Sequence, residues 1–301
     1  MMPRPVTVGL NGSPASLAAA DWGAREASLR DLPLRLVSVW EWQPFSYAPL
    51  AGTERPEQWS QRLPEETATE LRRRFPGLDI TTDRLTGPPP EMLCRAAKES
   101  ELLALGSAGL GPVAGFLMGS VAMATIAHTE RPVVLVRADE QADDASAPAG
   151  SGETRPDADG RAVVLGIDLS SPSDEVIGFG FEAAAARSAT LRVINGWNPP
   201  PHVMHGIGGD PHWRAEATAR AAETMRSVLA PWCERHPAVA VVEEPGIGRP
   251  ARLLSEAGAE AGLVVIGRRA NPRRPGPPRI GHVAHAVLHH CPAPVAVVPS
   301  A

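Results

Sequence analysis

The chain has 301 residues, 43% hydrophobic and 21% charged, with a formal net charge of -5. At about 150 residues per domain that length suggests two globular domains, and the apolar content excludes a chain disordered throughout. The negative balance excludes a general attraction for nucleic acid or anionic lipid, both of which require clustered positive charge. Lys98 is the only lysine, so the basic charge is almost all arginine. Cys94, Cys233 and Cys291 are odd in number and form no Cys-x2-Cys pair, which argues against a disulfide framework or structural zinc and for a reducing cytoplasm. Met1-Met2-Pro3-Arg4-Pro5 runs straight into a short apolar strand, without the apolar core or cleavage site of a signal peptide.

In chain order, the first half reads as strands near 5–10, 34–40, 79–85, 102–106 and 132–137, with helices near 15–30, 57–75, 89–99 and 119–129. Short β-branched runs alternating with helical patterns mark βα units and a parallel sheet. From Leu102 to Thr129 there is no Asp, Glu, Lys or Arg, a stretch long enough to span a bilayer. Its Gly106, Gly109, Gly111, Pro112, Gly115 and Gly119 would leave backbone groups unsatisfied in hydrocarbon. A buried parallel strand, a glycine loop and an apolar helix explain the same pattern.

Residues 138–160, with Asp143, Asp144, Glu153, Asp157 and Asp159 among Ala, Pro, Ser and Gly, cannot bury enough apolar surface to order themselves and read as a flexible acidic linker. The second half then gives strands near 162–167, 190–195, 238–243, 262–267 and 294–298, and helices near 174–188, 212–235, 249–259 and 281–290.

The halves repeat each other. Val6-Thr7-Val8-Gly9-Leu10-Asn11 answers Val163-Val164-Leu165-Gly166-Ile167-Asp168, Gly87 to Gly106 answers Gly248 to Gly267, and Gly119 through Val136 answers Gly281 through Val298. The order of matches is kept, so a domain has been duplicated. The expected fold is α/β, two similar doubly wound five-stranded parallel-sheet domains over 1–137 and 161–301.

Ligands of such sheets sit beyond the carboxyl ends of the strands where the winding reverses, here after strands one and four of each copy. In the first copy strand four leads into Gly106-Ser107-Ala108-Gly109-Leu110-Gly111-Pro112-Val113-Ala114-Gly115-Phe116-Leu117-Met118-Gly119-Ser120. Glycines permit close backbone approach, and Gly119-Ser120 opens a helix whose free amides and dipole favour an anion. The pattern fits a phosphate cradle; the alternative is a tight strand-to-helix turn with no ligand.

Gly106-x2-Gly109-x9-Gly119-Ser120, together with a first strand ending Gly9-Leu10-Asn11-Gly12-Ser13-Pro14, resembles the universal stress protein family, over nearly the whole chain and twice. The resemblance implies the adenine nucleotide alpha hydrolase-like fold, pairing of the domains through their last strands, and, in one subgroup, ATP held by the glycine motif, with or without magnesium. It implies an adenine or ribose contact at Asn11, a backbone adenine contact at Val39, and phosphate contacts at Gly106, Gly109, Gly119, Ser120 and the Val121 amide. Where the family usually has aspartate, Asn11 keeps a carbonyl acceptor and loses the charge, worth about 1 kcal/mol in a charge-assisted bond.

The second copy keeps Asp168, but its loop reads Gly267-Arg268-Arg269-Ala270-Asn271-Pro272-Arg273-Arg274-Pro275-Gly276-Pro277-Pro278-Arg279-Ile280-Gly281-His282. Ala270 and His282 replace the second glycine and the serine, so a broken cradle and a single competent site, in the first domain, are expected. Five arginines within a dozen residues suit phosphate, an acidic partner or RNA, against a solvated loop without interleaved aromatics.

His282, His285 and His289 share a helical face, and His202, His205 and His212 cluster after the second strand of that copy, without a Cys, Asp or Glu to complete a metal set. Trp22, Trp40, Trp42 and Trp197 read as packing residues, with Trp40 and Trp197 near the mouths of the expected sites. Gly109-x-Gly111-x2-Ala114 matches a dinucleotide fingerprint but follows strand four, not strand one. No Gly-x4-Gly-Lys, Gly-x-Ser-x-Gly or carboxylate pair near the cradle supports turnover. The expectation is a cytoplasmic, non-enzymatic module that binds ATP in its first domain and signals to an unidentified protein partner, without nucleic acid or membrane. The alternative is a nucleotide-independent scaffold, and pairing of two chains is left open.

Overall fold

The apolar runs of the first half fold as strands β1 (Val6–Leu10), β2 (Leu34–Trp40), β3 (Ile80–Thr86), β4 (Leu102–Gly106) and β5 (Val133–Val136). This is seen in a computed structural model that describes residues 3–41, 56–107, 119–138, 161–198, 210–269 and 280–300. All but one residue of the acidic 138–160 stretch, and Trp42, His202 and His205, lie outside the described residues. The chain divides into two compact units, Met1–Gly150 and Ser151–Ala301.

In the first unit the strands lie in the order β3-β2-β1-β4-β5, each neighbouring pair parallel. The crossovers carry helices α1 (Pro14–Leu29), α2 (Pro56–Arg74), α3 (Pro89–Lys98) and α4 (Ser120–His128). The second unit repeats this with β6 (Val163–Gly166), β7 (Leu191–Trp197), β8 (Val241–Ile247), β9 (Leu263–Arg269) and β10 (Val295–Ser300), ordered β10-β9-β6-β7-β8. Its helices are α5 (Asp174–Ala186), α6 (Pro211–Arg235), α7 (Pro250–Ala257) and α8 (His282–His290).

Central strands covered on both faces must be apolar throughout. Leu102, Leu103 and Ala104 of β4 and Val163, Val164 and Leu165 of β6 are accordingly sealed from solvent. Edge strands are released from that demand. In β8, Val242 is exposed, and Pro245 sits opposite Asn195, a position where a missing N–H costs an edge strand little.

Helix starts follow local chemistry. Proline stands in the first turn of α1, α3, α6 and α7, where its missing donor is not needed. The side chains of Ser13, Ser173 and Asp210 accept from Ser16, Val176 and His212 amides to cap α1, α5 and α6. Helices α3, α4, α7 and α8 have no side-chain cap, and in α4 and α8 the N-cap is a glycine, Gly119 and Gly281.

Four strands of the second unit, β7 to β10, end beyond the sequence reading. Strand β8 covers 241–247, not 238–243, because an edge strand accepts Pro245. Strand β7 continues through Gly196 and Trp197, where a Cβ on Gly196 would fall 2.7 Å from Pro250 Cα, so that the strand end packs directly on the start of α7. Strand β9 continues through Arg268 and Arg269, paired with Pro299 and Ser300 of β10.

Candidate functional site

In the first unit the carboxyl end of β1 passes into a turn built by Asn11. Its Oδ1 accepts the Ser13 amide at 3.1 Å and the Ser13 hydroxyl at 2.7 Å, an Asx turn. Gly12 between them is at φ 76, the left-handed conformation glycine adopts without cost. Ser13 Oγ in turn accepts the Ser16 amide at 3.2 Å, so the turn hands the chain into α1.

The end of β4 lies directly against that first turn of α1. A Cβ on Gly106 would fall 2.5 Å from Ala15 C and Ser16 N, closer than any side chain tolerates. Gly106 thereby brings the fourth strand and the Asn11 turn together at one end of the sheet. Val39, half-buried, lies on neighbouring β2, in register with Leu85. Ser107 follows Gly106 and donates its amide to Val136 O at 2.8 Å. Its side chain is 3% exposed and its hydroxyl has no hydrogen-bond partner among the described residues. That is a group a folded chain rarely leaves unsatisfied.

Gly109 falls in 108–118, outside the described residues. The chain resumes at Gly119, at φ -60 and ψ 140, and a Cβ there would meet no described atom within 4 Å. Neither conformation nor packing against the described residues demands glycine here. Ser120 is exposed and Val121 half-buried, and they open α4 with no side chain turned back to cap their amides. Among the described residues the helix therefore presents its first N–H groups without a capping side chain, at the positive end of its dipole.

The second unit repeats the turn with a charge. Asp168 Oδ1 accepts the Ser170 amide at 2.9 Å and hydroxyl at 2.6 Å. Beside it opens a cleft of about 1680 Å³, lined by Asp168, Asn195, Trp197, Trp213, Gly281 and His282 among others. Asn195 is held by donating Nδ2 to Ile167 O at 3.0 Å. Trp197 and Trp213 meet with ring centroids 5.9 Å apart, and Trp197 is 44% exposed, at the mouth of the cleft. Its counterpart Trp40 lies under the Arg84 guanidinium, 5.7 Å from the ring centroid. Sequence reasoning missed the cleft; the available signal was Trp213 in the first turn of a helix beside the strand end that carries Trp197.

On α8, His285 and His289 approach to 4.4 Å between ring centroids. Burial, then the neighbouring His289 charge, holds the His285 imidazole below its ordinary value. Among the described residues no group of three or more His, Cys, Asp or Glu is placed to hold a metal ion. Nor is any described helix long and apolar enough to cross a membrane.

Comparison with known proteins gives this arrangement relatives. The sequence model of the universal stress protein family matches residues 2–137 and 160–299. A universal stress protein of Mycobacterium tuberculosis is 30% identical over 302 residues, covering 97% of this chain and 96% of its own. One of Mycolicibacterium smegmatis is 29% identical over 306 residues, covering 97% and 96%. The crystal structure of a universal stress protein from Archaeoglobus fulgidus covers 98% of both chains with a TM-score of 0.66 at 15% identity, a likeness of fold. With the family matched in each half and such relatives matched nearly end to end, the chain belongs to the universal stress protein family.

Proposed function

We propose that the first domain binds an adenine nucleotide, ATP, and that its occupancy is the regulatory state of a cytoplasmic stress-response module. The observation that carries this is Gly119. It is a glycine that neither backbone angle nor any described neighbour requires, set at the uncapped start of α4. A side chain at that position would stand where an anion approaches the helix N-terminus, which is where phosphate binds. Gly119, Ser120 and the Val121 amide would hold phosphate from the helix side, Gly106 and Gly109 from the strand side. Asn11 would meet the ribose or adenine, and the Val39 backbone the adenine. The buried Ser107 hydroxyl at the same strand end, without a partner among the described residues, adds support. Magnesium, where present, would neutralise phosphate charge.

On this reading the site serves binding and occupancy itself is the signal: a nucleotide favouring one conformation of the α4 start shifts the population toward it. A ligand that binds only the folded state stabilises it by about 2.7 kcal/mol at a hundred times its dissociation constant. ATP is therefore expected to raise the melting temperature of the chain and to leave that of Gly119→Asp unchanged. Equal shifts in both would remove the first domain as the site.

The second reading is a nucleotide-independent scaffold of the same fold, recognised by a protein partner. Asn11 favours it, a neutral side chain whose carbonyl is already engaged by Ser13. No shift with any adenine nucleotide would decide for the scaffold.

A further inference from the structure

We infer that Asn11 is a self-modifying residue: the Gly12 peptide nitrogen attacks its side-chain amide, which is exchanged for a carboxylate, and the neutral turn after β1 becomes a charged one. The chemistry needs water and no ligand, so it stands apart from nucleotide binding in the first domain.

The chain holds four asparagines. Asn198 and Asn271 precede proline, whose nitrogen carries no hydrogen and is closed to this reaction. Asn11 and Asn195 precede glycine, the residue that shields its own peptide nitrogen least because it has no Cβ. The fold separates these two. Asn195 is 7% exposed and donates Nδ2 to Ile167 O at 3.0 Å, and Gly196 after it lies within β7, opposite Gly246 of β8. Bringing Cγ of Asn195 onto the Gly196 nitrogen means breaking that bond and opening the strand. Asn11 is exposed and lies past the end of β1. Gly12 after it is at φ 76, and its amide donates to no group among the described residues.

The Asn11 turn also supplies a place for charge. As the Gly12 nitrogen gives up its proton to solvent and bonds to Cγ, the Cγ–Oδ1 double bond opens and Oδ1 becomes an oxyanion. Oδ1 already accepts the Ser13 amide at 3.1 Å and the Ser13 hydroxyl at 2.7 Å, two donors aimed where negative charge develops. The bond from Cγ to the amide nitrogen then breaks, ammonia leaves with a proton from water, and a five-membered imide joins positions 11 and 12. Water adds to the imide at Cγ, the ring C–N bond breaks, and a proton returns to the Gly12 nitrogen. The backbone is restored and position 11 carries a carboxylate. Opening at the main-chain carbonyl leaves instead an isoaspartyl link, also charged, with one more methylene in the main chain just before the α1 N-cap Ser13. The first product fits the turn as it stands, since Asp168 Oδ1 accepts the Ser170 amide and hydroxyl at 2.9 and 2.6 Å in the same arrangement. Conversion thus gives the first copy the charge with which the second is built.

The test follows both Asn-Gly pairs at once. The full chain is kept at neutral pH, folded and in urea, and peptide mass spectrometry at intervals reads the replacement of amide by carboxyl at Asn11 and at Asn195. Unfolded, the two are expected to convert at similar rates. Folded, Asn11 is expected to convert at least as fast as in urea, and Asn195 about tenfold or more slowly, because β7 must first open locally. Ser13→Ala, shown to be folded by circular dichroism, removes one of the two donors and is expected to slow Asn11 severalfold while leaving Asn195 unchanged. Slower conversion of Asn11 in the folded chain than in urea, or conversion in Ser13→Ala as fast as in the unaltered chain, would overturn the inference. No step uses a nucleotide, so such a result leaves the first-domain proposal standing, and a failed nucleotide titration leaves this inference standing.

Discussion

The side-chain carbonyl of Asn11 accepts the Ser13 hydroxyl at 2.7 Å, and the carboxylate of Asp168 accepts that of Ser170 in the same way at 2.6 Å. One turn is thus built twice, once neutral and once charged, and the chain itself demonstrates that aspartate fits the geometry. Asn11→Asp should fold as before and, by supplying a charge-assisted bond worth about 1 kcal/mol more than a neutral one, bind ATP about fivefold more tightly. Calorimetric titration of the variant against the parent measures this; an unchanged or weakened affinity would put Asn11 outside the site.

Gly106 and Gly119 bracket the same loop and should respond to substitution with opposite signs. A methyl group at Gly106 meets backbone atoms of Ala15 and Ser16 at 2.5 Å, which cannot yield as a flexible side chain does. Gly106→Ala should cost roughly 1–3 kcal/mol as overpacking. At Gly119 there is space and an ordinary φ, and an aspartate would cap α4 and complement its dipole. Gly119→Asp should gain roughly 0.5 kcal/mol of stability while losing nucleotide. Urea unfolding of both variants checks the two signs together.

Glu26 is 1% exposed in α1 and meets Arg30 one turn on, Nε to Oε1 at 2.6 Å. Removing the guanidinium takes a charged partner from a buried carboxylate. Arg30→Met should therefore cost roughly 1.5–3 kcal/mol, and more than Arg252→Met, whose pair with Glu256 is exposed. Equal costs by denaturant unfolding would contradict the burial of the Glu26 pair.

The α8 histidines give the second unit an acid-sensitive element. Burial first, then the His289 charge, lowers the His285 pKa below its ordinary 6.5. The unfolded chain therefore binds this proton more readily than the native one. The stabilising contribution is complete above about pH 6.5, and is lost as pH falls from there to the depressed native value. His289→Gln removes the repulsion and should move the His285 titration, followed by NMR, upward. No movement would leave burial as the whole cause.

Most of the scaffold was legible because duplication made each half a check on the other and because buried parallel strands are apolar without interruption. Leu102–Gly106 and Leu34–Trp40 fall where their β-branched and leucine runs place them. What failed were strand ends decided by neighbours far along the chain. Pro245 reads locally as a stop, yet an edge position makes it harmless; Gly196 reads as a turn, yet it carries β7 against Pro250. The candidate residues Asn11, Gly106 and Gly119 were visible as a spaced pattern, because glycine at a strand exit and a helix start has a backbone meaning. Trp213 was not, since one tryptophan in the polar first turn of a long helix has no periodic partner and meets Trp197 only when the fold brings the two together.

Equilibrium dialysis of radiolabelled ATP at millimolar nucleotide, against the chain and against Gly119→Asp, bears most directly on the amides at the start of α4. Saturable binding of one ATP per chain, lost in the folded variant, is the predicted result. Absence of binding to the unaltered chain, or equal binding to both proteins, would contradict it.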